Sequence, residues 1–324
     1  MILPCGEYSS AKNTYLCSVL GLKIFGTDCD VRPCVATIGS FDGVHLGHRF
    51  VIRHVVEQAH KKGLEAVVIT FSNHPLQVLR PGFQPQMLSP EEEKISLLEQ
   101  TGVDKVVVLE FTKELSLLTA QDFMRRVLKE RVDVRMLLIG YDNHFGHDGK
   151  GFSDYVEYGR RLNIEVMNIE SFSPADECGI LSSTTIRNAL LTGDITTANS
   201  LLGYCYFLQG TVVRGFQNGR RIGYPTANLE VSALKLIPEN GVYLVRTDMG
   251  MGMLNIGTRP TLHNGTQRSI EVHLFDFQGD LYDKPLRIEI LRHLRKEQEF
   301  GSLEALKRQL TDDEQRCREL MGKS

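Results

Sequence analysis

The stretch ATIGSFDGVHLGHRFVI, Ala36 to Ile52, decides how the first half of the chain is read. An apolar run ends at Ile38. Glycines follow at Gly39, Gly43 and Gly47, and His45 and His48 stand three apart as a helical pattern begins. That pattern predicts a helix from Leu46 to Lys62. Val51, Ile52, Val55, Val56 and Ala59 mark its apolar face, Arg49, Arg53 and Glu57 its polar face, and Gly63 closes it. A helix start offers free N–H groups and the positive end of a dipole, which makes it an anion site. Glycines let backbone approach a phosphate, and two imidazoles three apart on one helix face reach the same group. Imidazole donates to a phosphoryl oxygen without a fixed charge. Zinc is the rival reading, but it wants a third strong ligand and H-E-x-x-H spacing is absent. Glycines four apart also differ from the G-x-G-x-x-G turn of nicotinamide sites.

Working outward, the apolar runs CVATI, EAVVIT, KVVVLE, RMLLIG and IEVMNI alternate with amphipathic segments such as PEEEKISLLEQTG and TAQDFMRRVLKERV, up to about Gly203. Continuous apolar strands between helices predict a parallel sheet covered on both faces. Ligands bind such sheets at the carboxyl ends of the strands. Three runs lead there into unusual loops: GSFDGVHLGH, FSNHP with His74, and YDNHFGHDGKG. Three such loops on one edge predict a binding site.

After Gly203 the rhythm changes. CYFLQGTVVRG, YPTANLEV, GVYLVRTD, MGMLNIGT, SIEVHLFDF and PLRIEILRHL are strand-like and separated by short turns, and no helix is expected before SLEALKRQL. This predicts a small antiparallel barrel or sandwich. The junction is a helix pair, STTIRNALLTG and DITTANSLLG. The expected domains are therefore 1–203 and 204–324, with 1–33 matching no interpretable pattern. A chain of 324 residues accommodates two cores. Its net charge of -3 and its lack of Trp and of aromatic-basic stripes argue against a nucleic-acid partner. Seven cysteines without a C-x-x-C pair suit a reducing compartment. With no leader and no membrane-length apolar run, a soluble cytoplasmic protein is expected.

Four further segments carry chemistry. In LSSTTIR, Ser182 or Ser183 suits a helix cap and Arg187 follows on the helix. In NGRRIGYPTANLEV, Thr226 and Asn228 are two apart and point the same way on an extended chain. A hydroxyl and an amide carbonyl are hard oxygen ligands suited to Mg²⁺. Gly215, Gly219 and Gly223 precede them as a flexible flap. In SIEVHLFDFQGDLY, Glu271, His273, Phe275 and Phe277 alternate with Val272 and Leu274, so a carboxylate stands beside aromatic residues on one face. GYDNHFG is the fourth.

The G-x-FDG-x-H-x-GH turn resembles the adenylyltransferase half of bacterial riboflavin kinase/FAD synthetases, within the broader nucleotidyltransferase group that carries H-x-G-H. LSSTTIR resembles that group's SST-x-x-R signature, and GYDNHFG its nucleotide-contacting loop. Pro225-Thr226-Ala227-Asn228 and the E-x-H of Glu271 are similar to riboflavin kinase, as are PENGVY, NIGTRPT and the LR-x-E-x-x-F run from Leu294 to Phe300. The resemblance runs from about Val35 to Asp313.

The resemblance implies an α/β plus β architecture: a Rossmann-like nucleotidyltransferase sheet, then a small antiparallel β-barrel with a C-terminal helix. It implies phosphorylation of riboflavin by ATP to FMN in the barrel, with Glu271 as base and Mg²⁺ on Thr226 and Asn228. It implies adenylylation of FMN by a second ATP to FAD and pyrophosphate in the sheet domain. His45, His48 and Arg187 would act in that step. Gly39, Phe41, Asp42, Gly43, Gly47, Asp142, Phe145, Ser182, Ser183 and Thr184 would bind nucleotide there, Gly215 and Gly223 would bind phosphate in the barrel, and His74, Pro75 and Arg295 would meet flavin. The alternative is a monofunctional FMN adenylyltransferase with a flavin-binding regulatory barrel. Four positions depart from the family pattern: Ser40 for asparagine, Asn73 for proline, His144 for arginine and Asp283 for glycine.

Overall fold

The computed structural model describes residues 8–9, 14–19, 22–26, 28, 30–80, 82, 85–140, 144–169, 181–215, 219, 223–260 and 266–322. The chain divides into two compact units, Met1–Leu181 and Ser182–Ser324.

The first unit carries, in order, β1 (Tyr8–Ser9), β2 (Thr14–Val19), β3 (Leu22–Gly26), β4 (Cys34–Ile38), α1 (Leu46–Lys62), β5 (Glu65–Phe71), α2 (Pro75–Leu79), α3 (Glu91–Glu99), β6 (Lys105–Leu109), α4 (Lys113–Ser116), α5 (Ala120–Phe123), β7 (Val134–Gly140), α6 (Phe152–Leu162) and β8 (Glu165–Ile169). A π-helical turn, Met124–Lys129, continues α5. The sheet order is β1-β2-β3-β6-β5-β4-β7-β8. Strands β4 to β8 pair in parallel. Strand direction of growth reverses at β4: β5 and β6 lie to one side, β7 and β8 to the other. The crevice at the carboxyl ends of β4 and β7 is thus a topological switch point.

Every residue of β4 is buried. Ala36 and Ile38 join one core with Val67, Ile69, Phe123, Val127 and Tyr155. Val35 joins a second core with Ala66, Met136, Val55 and Ala59. Alternate residues thus face helices on opposite sides, which is why the run reads as continuously apolar. Helix α1 spans the expected Leu46–Lys62, and the left-handed Gly63 ends it.

The expected parallel sheet carries an antiparallel extension at one edge. Strands β1 to β3 extend the sheet, and β3 pairs antiparallel with β6. The segment before residue 34 is therefore partly core: Leu22 and Ile24 are buried beside Ala36 and Val107.

The second unit carries α7 (Ser183–Leu191), α8 (Ile195–Leu202), β9 (Phe207–Val213), β10 (Ala227–Val231), β11 (Gly241–Thr247), β12 (Gly250–Pro260), β13 (Thr266–Leu274), β14 (Pro285–Lys296) and α9 (Leu303–Met321). Six antiparallel strands close into a barrel, β10-β13-β12-β11-β14-β9. This decides between the barrel and the sandwich. Leu254, Ile256, Ile270, Val272 and Ile288 are buried within it. Helix α9 packs through Leu310 and Cys317 on Val242, Leu244 and Met253.

The helix pair α7–α8 belongs by packing to the barrel unit. Asn199 of α8 donates to the Ile290 carbonyl (2.9 Å) and accepts from the Tyr206 amide (2.7 Å). The Glu239 amide donates to the Leu190 carbonyl (3.0 Å). The compact units thus part at 181/182, ahead of the junction expected at Gly203. Asp283 sits at φ 60, in the left-handed region that explains why glycine is usual there; Asp tolerates it better than most residues.

Candidate active sites

In the first unit, the turn after β4 holds Phe41 at φ 47 and Val44 at φ 38, around Gly43 at φ 82. A β-branched residue with positive φ is strained, and such strain persists only where surrounding bonds hold it. Asp42 supplies them. Its buried carboxylate accepts from the Leu88 amide (3.1 Å) and the Ser89 amide (2.9 Å), and the Gly43 amide donates to Ser89 Oγ (2.8 Å). Asp42, grouped from the sequence with the phosphate contacts, is thus occupied in pinning this turn to the 88–89 segment.

His45 is the N-cap of α1, and its Nδ1 accepts from the His48 amide (3.4 Å). An accepting Nδ1 carries no proton, so neutral His45 holds its proton on Nε2. The two imidazoles stack, with centroids 3.6 Å apart and planes inclined by 18°. Phe41 sets its ring edge-on to His48 at 5.1 Å. His48 Nδ1 is buried and has no hydrogen-bond partner among the described residues. Burial, then the neighbouring His45 and Lys94, hold the His48 pKa well below the usual imidazole value, so its ring is neutral at physiological pH. Gly47 allows a close approach: a Cβ there would stand in tight contact, 3.3 Å from the His45 ring. At Gly39 a Cβ would stand 3.2 Å from the Phe41 ring.

The second loop is built by Asn73 and His74. Asn73 Oδ1 accepts from the Phe111 amide (2.8 Å) and its Nδ2 donates to the Phe111 carbonyl (3.0 Å). This two-way clamp accounts for an amide where proline is frequent. His74 Nδ1 caps α2, accepting from the Leu76 amide (3.1 Å), and Pro75 occupies the first turn. In the third loop Phe145 stacks on Tyr155 (4.2 Å), and His144 is exposed. Asp142 lies outside the described residues.

Lys94 of α3 was missed by sequence reasoning. It is 1% exposed, and its Nζ donates to the carbonyls of Phe71 (2.7 Å) and Ser40 (3.2 Å). The available signal was its spacing, since Lys94 and Leu98 are four apart on one helix face. Ser40 contributes its carbonyl here, also accepting from Thr70 Oγ1 (3.2 Å).

In the second unit, Ser182 caps α7, its Oγ accepting from the Thr185 amide (3.1 Å). Ser183 and Arg187 on that helix are half-buried and Thr184 is exposed.

The barrel unit holds a cavity of about 350 Å³ between α9 and one outer face of the strands, lined among others by Thr226, Asn255, Glu271, His273, Arg295 and Leu306. That volume suits a small-molecule ligand. Pairing places Asn228 of β10 and Asn255 of β12 directly across from Glu271 of β13, so all three share one face. Thr226 Oγ1 donates to Glu271 Oε2 (3.2 Å). His273 Nδ1 donates to the Pro225 carbonyl (2.8 Å), and Tyr224 packs edge-on against its ring (5.1 Å). Gly215 makes room for Asn228: a Cβ there would stand 2.3 Å from Asn228 Nδ2. Gly223 lies at φ 87 with open space beside it. The flap residues 216–218 and 220–222 lie outside the described residues.

Arg295 is fixed by a second residue the sequence did not suggest. Buried Asp313 of α9 takes it in a forked pair, Nη2 to Oδ2 at 2.7 Å and Nε to Oδ1 at 3.0 Å. Among the described residues no group of three His, Cys, Asp or Glu side chains could hold a metal. No helix among them is long and apolar enough to cross a membrane.

A histidine pair at the switch point of a doubly wound sheet, and a carboxylate between polar neighbours on a closed barrel, make a two-unit architecture with one candidate site in each unit. Comparison carries this to the family. Residues 28–185 match the FAD synthetase family and residues 202–321 the riboflavin kinase family. The chain is 36% identical over 297 residues to the bifunctional riboflavin kinase/FMN adenylyltransferase of Escherichia coli strain K12, covering 89% of this chain and 93% of that protein. It is 37% identical to the protein of the same name from Pseudomonas fluorescens, covering 90% and 94%. A solved Streptococcus pneumoniae chain described as a macrolide-efflux protein superposes with a TM-score of 0.82 at 33% identity, covering 90% of this chain and 95% of that one. The chain belongs to the bifunctional riboflavin kinase/FMN adenylyltransferase family.

Proposed function

We propose that the barrel unit phosphorylates riboflavin with ATP to FMN, and that the sheet unit adenylylates FMN with a second ATP to FAD and pyrophosphate. The observation that carries this reading is Glu271 held between Thr226, Asn228 and Asn255 at a ligand-sized cavity, in a chain that also carries the His45–His48 pair. An intact carboxylate site of this kind speaks against a merely regulatory barrel.

In the kinase step, the Glu271 carboxylate takes the proton of the riboflavin 5′-hydroxyl as its oxygen bonds the γ-phosphorus and ADP leaves. The Thr226 hydroxyl orients that carboxylate. Arg295, locked by Asp313, has a fixed position from which to meet the flavin. Mg²⁺ fits this donor set: Thr226 offers a hydroxyl, Asn228 an amide oxygen, and Gly215 leaves space a Cβ would fill. When bound, the ion neutralises phosphate charge.

In the adenylylation step, an FMN phosphate oxygen bonds the α-phosphorus and pyrophosphate leaves. The nucleophile is already an anion, so positioning and donors to developing charge supply the catalysis. His45 offers its Nε2–H, and His48 is a neutral ring held by stacking. Gly39, Gly43, Gly47 and Phe145 line the nucleotide's approach, and His74 and Pro75 the flavin's. Ser182, Ser183, Thr184 and Arg187 hold ATP phosphates at the start of α7. The two family matches leave residues 186–201 between them, which suits a functional division near the expected Gly203. A cytoplasmic setting suits the free thiols of Cys34 and Cys317, which burial pushes up to about 12 and so keeps unreactive.

The test is incubation with riboflavin, ATP and Mg²⁺, followed by separation of the flavins. FMN and FAD together are expected. FMN alone leaves the sheet unit without its reaction, and FAD formed only from supplied FMN returns the barrel to a regulatory part.

A further inference from the structure

A lysine at 1% exposure bears a cost that only specific bonds offset. Lys94 makes two, to backbone carbonyls at the ends of two adjacent strands. The Ser40 carbonyl lies just past β4, where the turn to His45 and His48 begins. The Phe71 carbonyl ends β5, where the loop to His74 begins. One side chain therefore ties two strand ends together where both loops leave the sheet.

Building on the adenylylation reading above, we propose that Lys94 is a positioning residue of that site: its ammonium clamps the Ser40 and Phe71 carbonyls, fixes the two histidine-bearing loops, and lends a positive charge beside His48 at neutral pH. The groups facing it are Asp42, Glu91 and His48. Burial lowers the Lys94 pKa to about 8, against the opposing pull of Asp42 and Glu91. Lys94 in turn adds to burial and His45 in lowering that of His48. A neutral amine keeps two N–H groups, enough for both carbonyls. Raising the pH therefore removes the charge and leaves the clamp.

Two variants separate these parts. Lys94→Met removes clamp and charge. Its kcat for FMN adenylylation should fall about a hundredfold, the scale expected when catalytic groups shift by about 1 Å, with KM for ATP changed much less. Riboflavin phosphorylation in the same preparation should stay normal. Lys94→Gln keeps N–H donors without charge. It should recover at least about tenfold of that loss, and its kcat should lack an alkaline limb that wild type shows near pH 8.

A readout independent of activity is the His48 imidazole resonance, followed by NMR between about pH 5 and pH 8. Its titration should move upward in both variants. Should Lys94→Met fail to fold, Lys94→Gln carries the test through this titration and the alkaline limb. A folded Lys94→Met protein with wild-type kcat overturns the proposal, as does an unmoved His48 titration in Lys94→Gln. If wild type makes no FAD at all, the adenylylation reading fails, while the titration still reports whether Lys94 acts on His48.

Discussion

His45 stacks on His48 at 3.6 Å while its own Nδ1 caps the helix on which His48 rides. One imidazole is thus both the start of α1 and the support for the second ring. Two imidazolium charges at this separation repel, which accords with the lowered His48 pKa. His48 is thus a neutral ring held against His45 by stacking.

Removing one ring from the pair should damage chemistry more than stability. In His48→Ala, FAD formation should fall on the order of a hundred- to a thousandfold, the scale for loss of a preorganised donor, with FMN formation retained. His45→Asn keeps a good capping side chain, so its melting temperature should hold while FAD formation drops. Steady-state kinetics and thermal unfolding on the same samples check this. A folded His48→Ala protein with normal FAD synthesis would falsify the assignment.

His48, half-buried with its Nδ1 enclosed, also makes stability depend on pH. Its folded pKa is lowered, so on acidification the unfolded chain takes up a proton that the folded ring resists. The first unit should be most stable above about pH 6.5 and lose stability as pH falls below that value. His48→Gln should flatten this slope. Denaturant titrations across that interval decide it, and equal slopes in both proteins count against the neutral His48 ring.

Asp42 should matter for the turn rather than for phosphate. Asp42→Asn replaces one accepting oxygen with an NH₂ that faces an amide donor, leaving buried groups unsatisfied at a cost of about 1–3 kcal/mol. Lowered thermal stability and faster hydrogen exchange at Leu88 and Ser89 are expected. An unchanged melting temperature with weakened ATP binding would return Asp42 to the nucleotide site.

In the barrel, Glu271→Gln keeps shape and the hydrogen bond from Thr226 but removes the base. FMN formation should fall about a hundred- to ten-thousandfold, while supplied FMN is still converted to FAD. Near-normal phosphorylation of riboflavin by this variant shows that another group takes the proton.

Asp313→Ala strands the Arg295 guanidinium beside the cavity. Breaking a buried pair from one side costs about 3–5 kcal/mol. Unfolding of the second unit should shift accordingly, and KM for riboflavin should rise more than KM for ATP. A variant as stable as wild type means that solvent reaches Arg295 and the pair is dispensable.

Much of this protein is legible along the chain because local periods carry it. The 3.6-residue period after His45 sets α1 to within its observed ends, and alternation in SIEVHLF puts Glu271 and His273 on one face of β13. The roles proposed for His45 and Glu271 come from motifs whose spacing is itself short-range. Other features depend on residues distant in sequence. Leu22 and Ile24 become core only because β3 finds the free edge of β6, a pairing with no local signature. Asn255 stands beside Glu271 through strand register, and Asp313 reaches Arg295 because α9 folds back over the barrel. Lys94 looks like an ordinary helix charge until packing encloses it against two strand ends. Local sequence determined the elements and the motifs they bear. The desolvation that keeps His48 neutral and lowers the Lys94 pKa, and the partners that occupy Asp42, were decided only by tertiary structure, because desolvation and long-range hydrogen bonds exist only once the elements have packed.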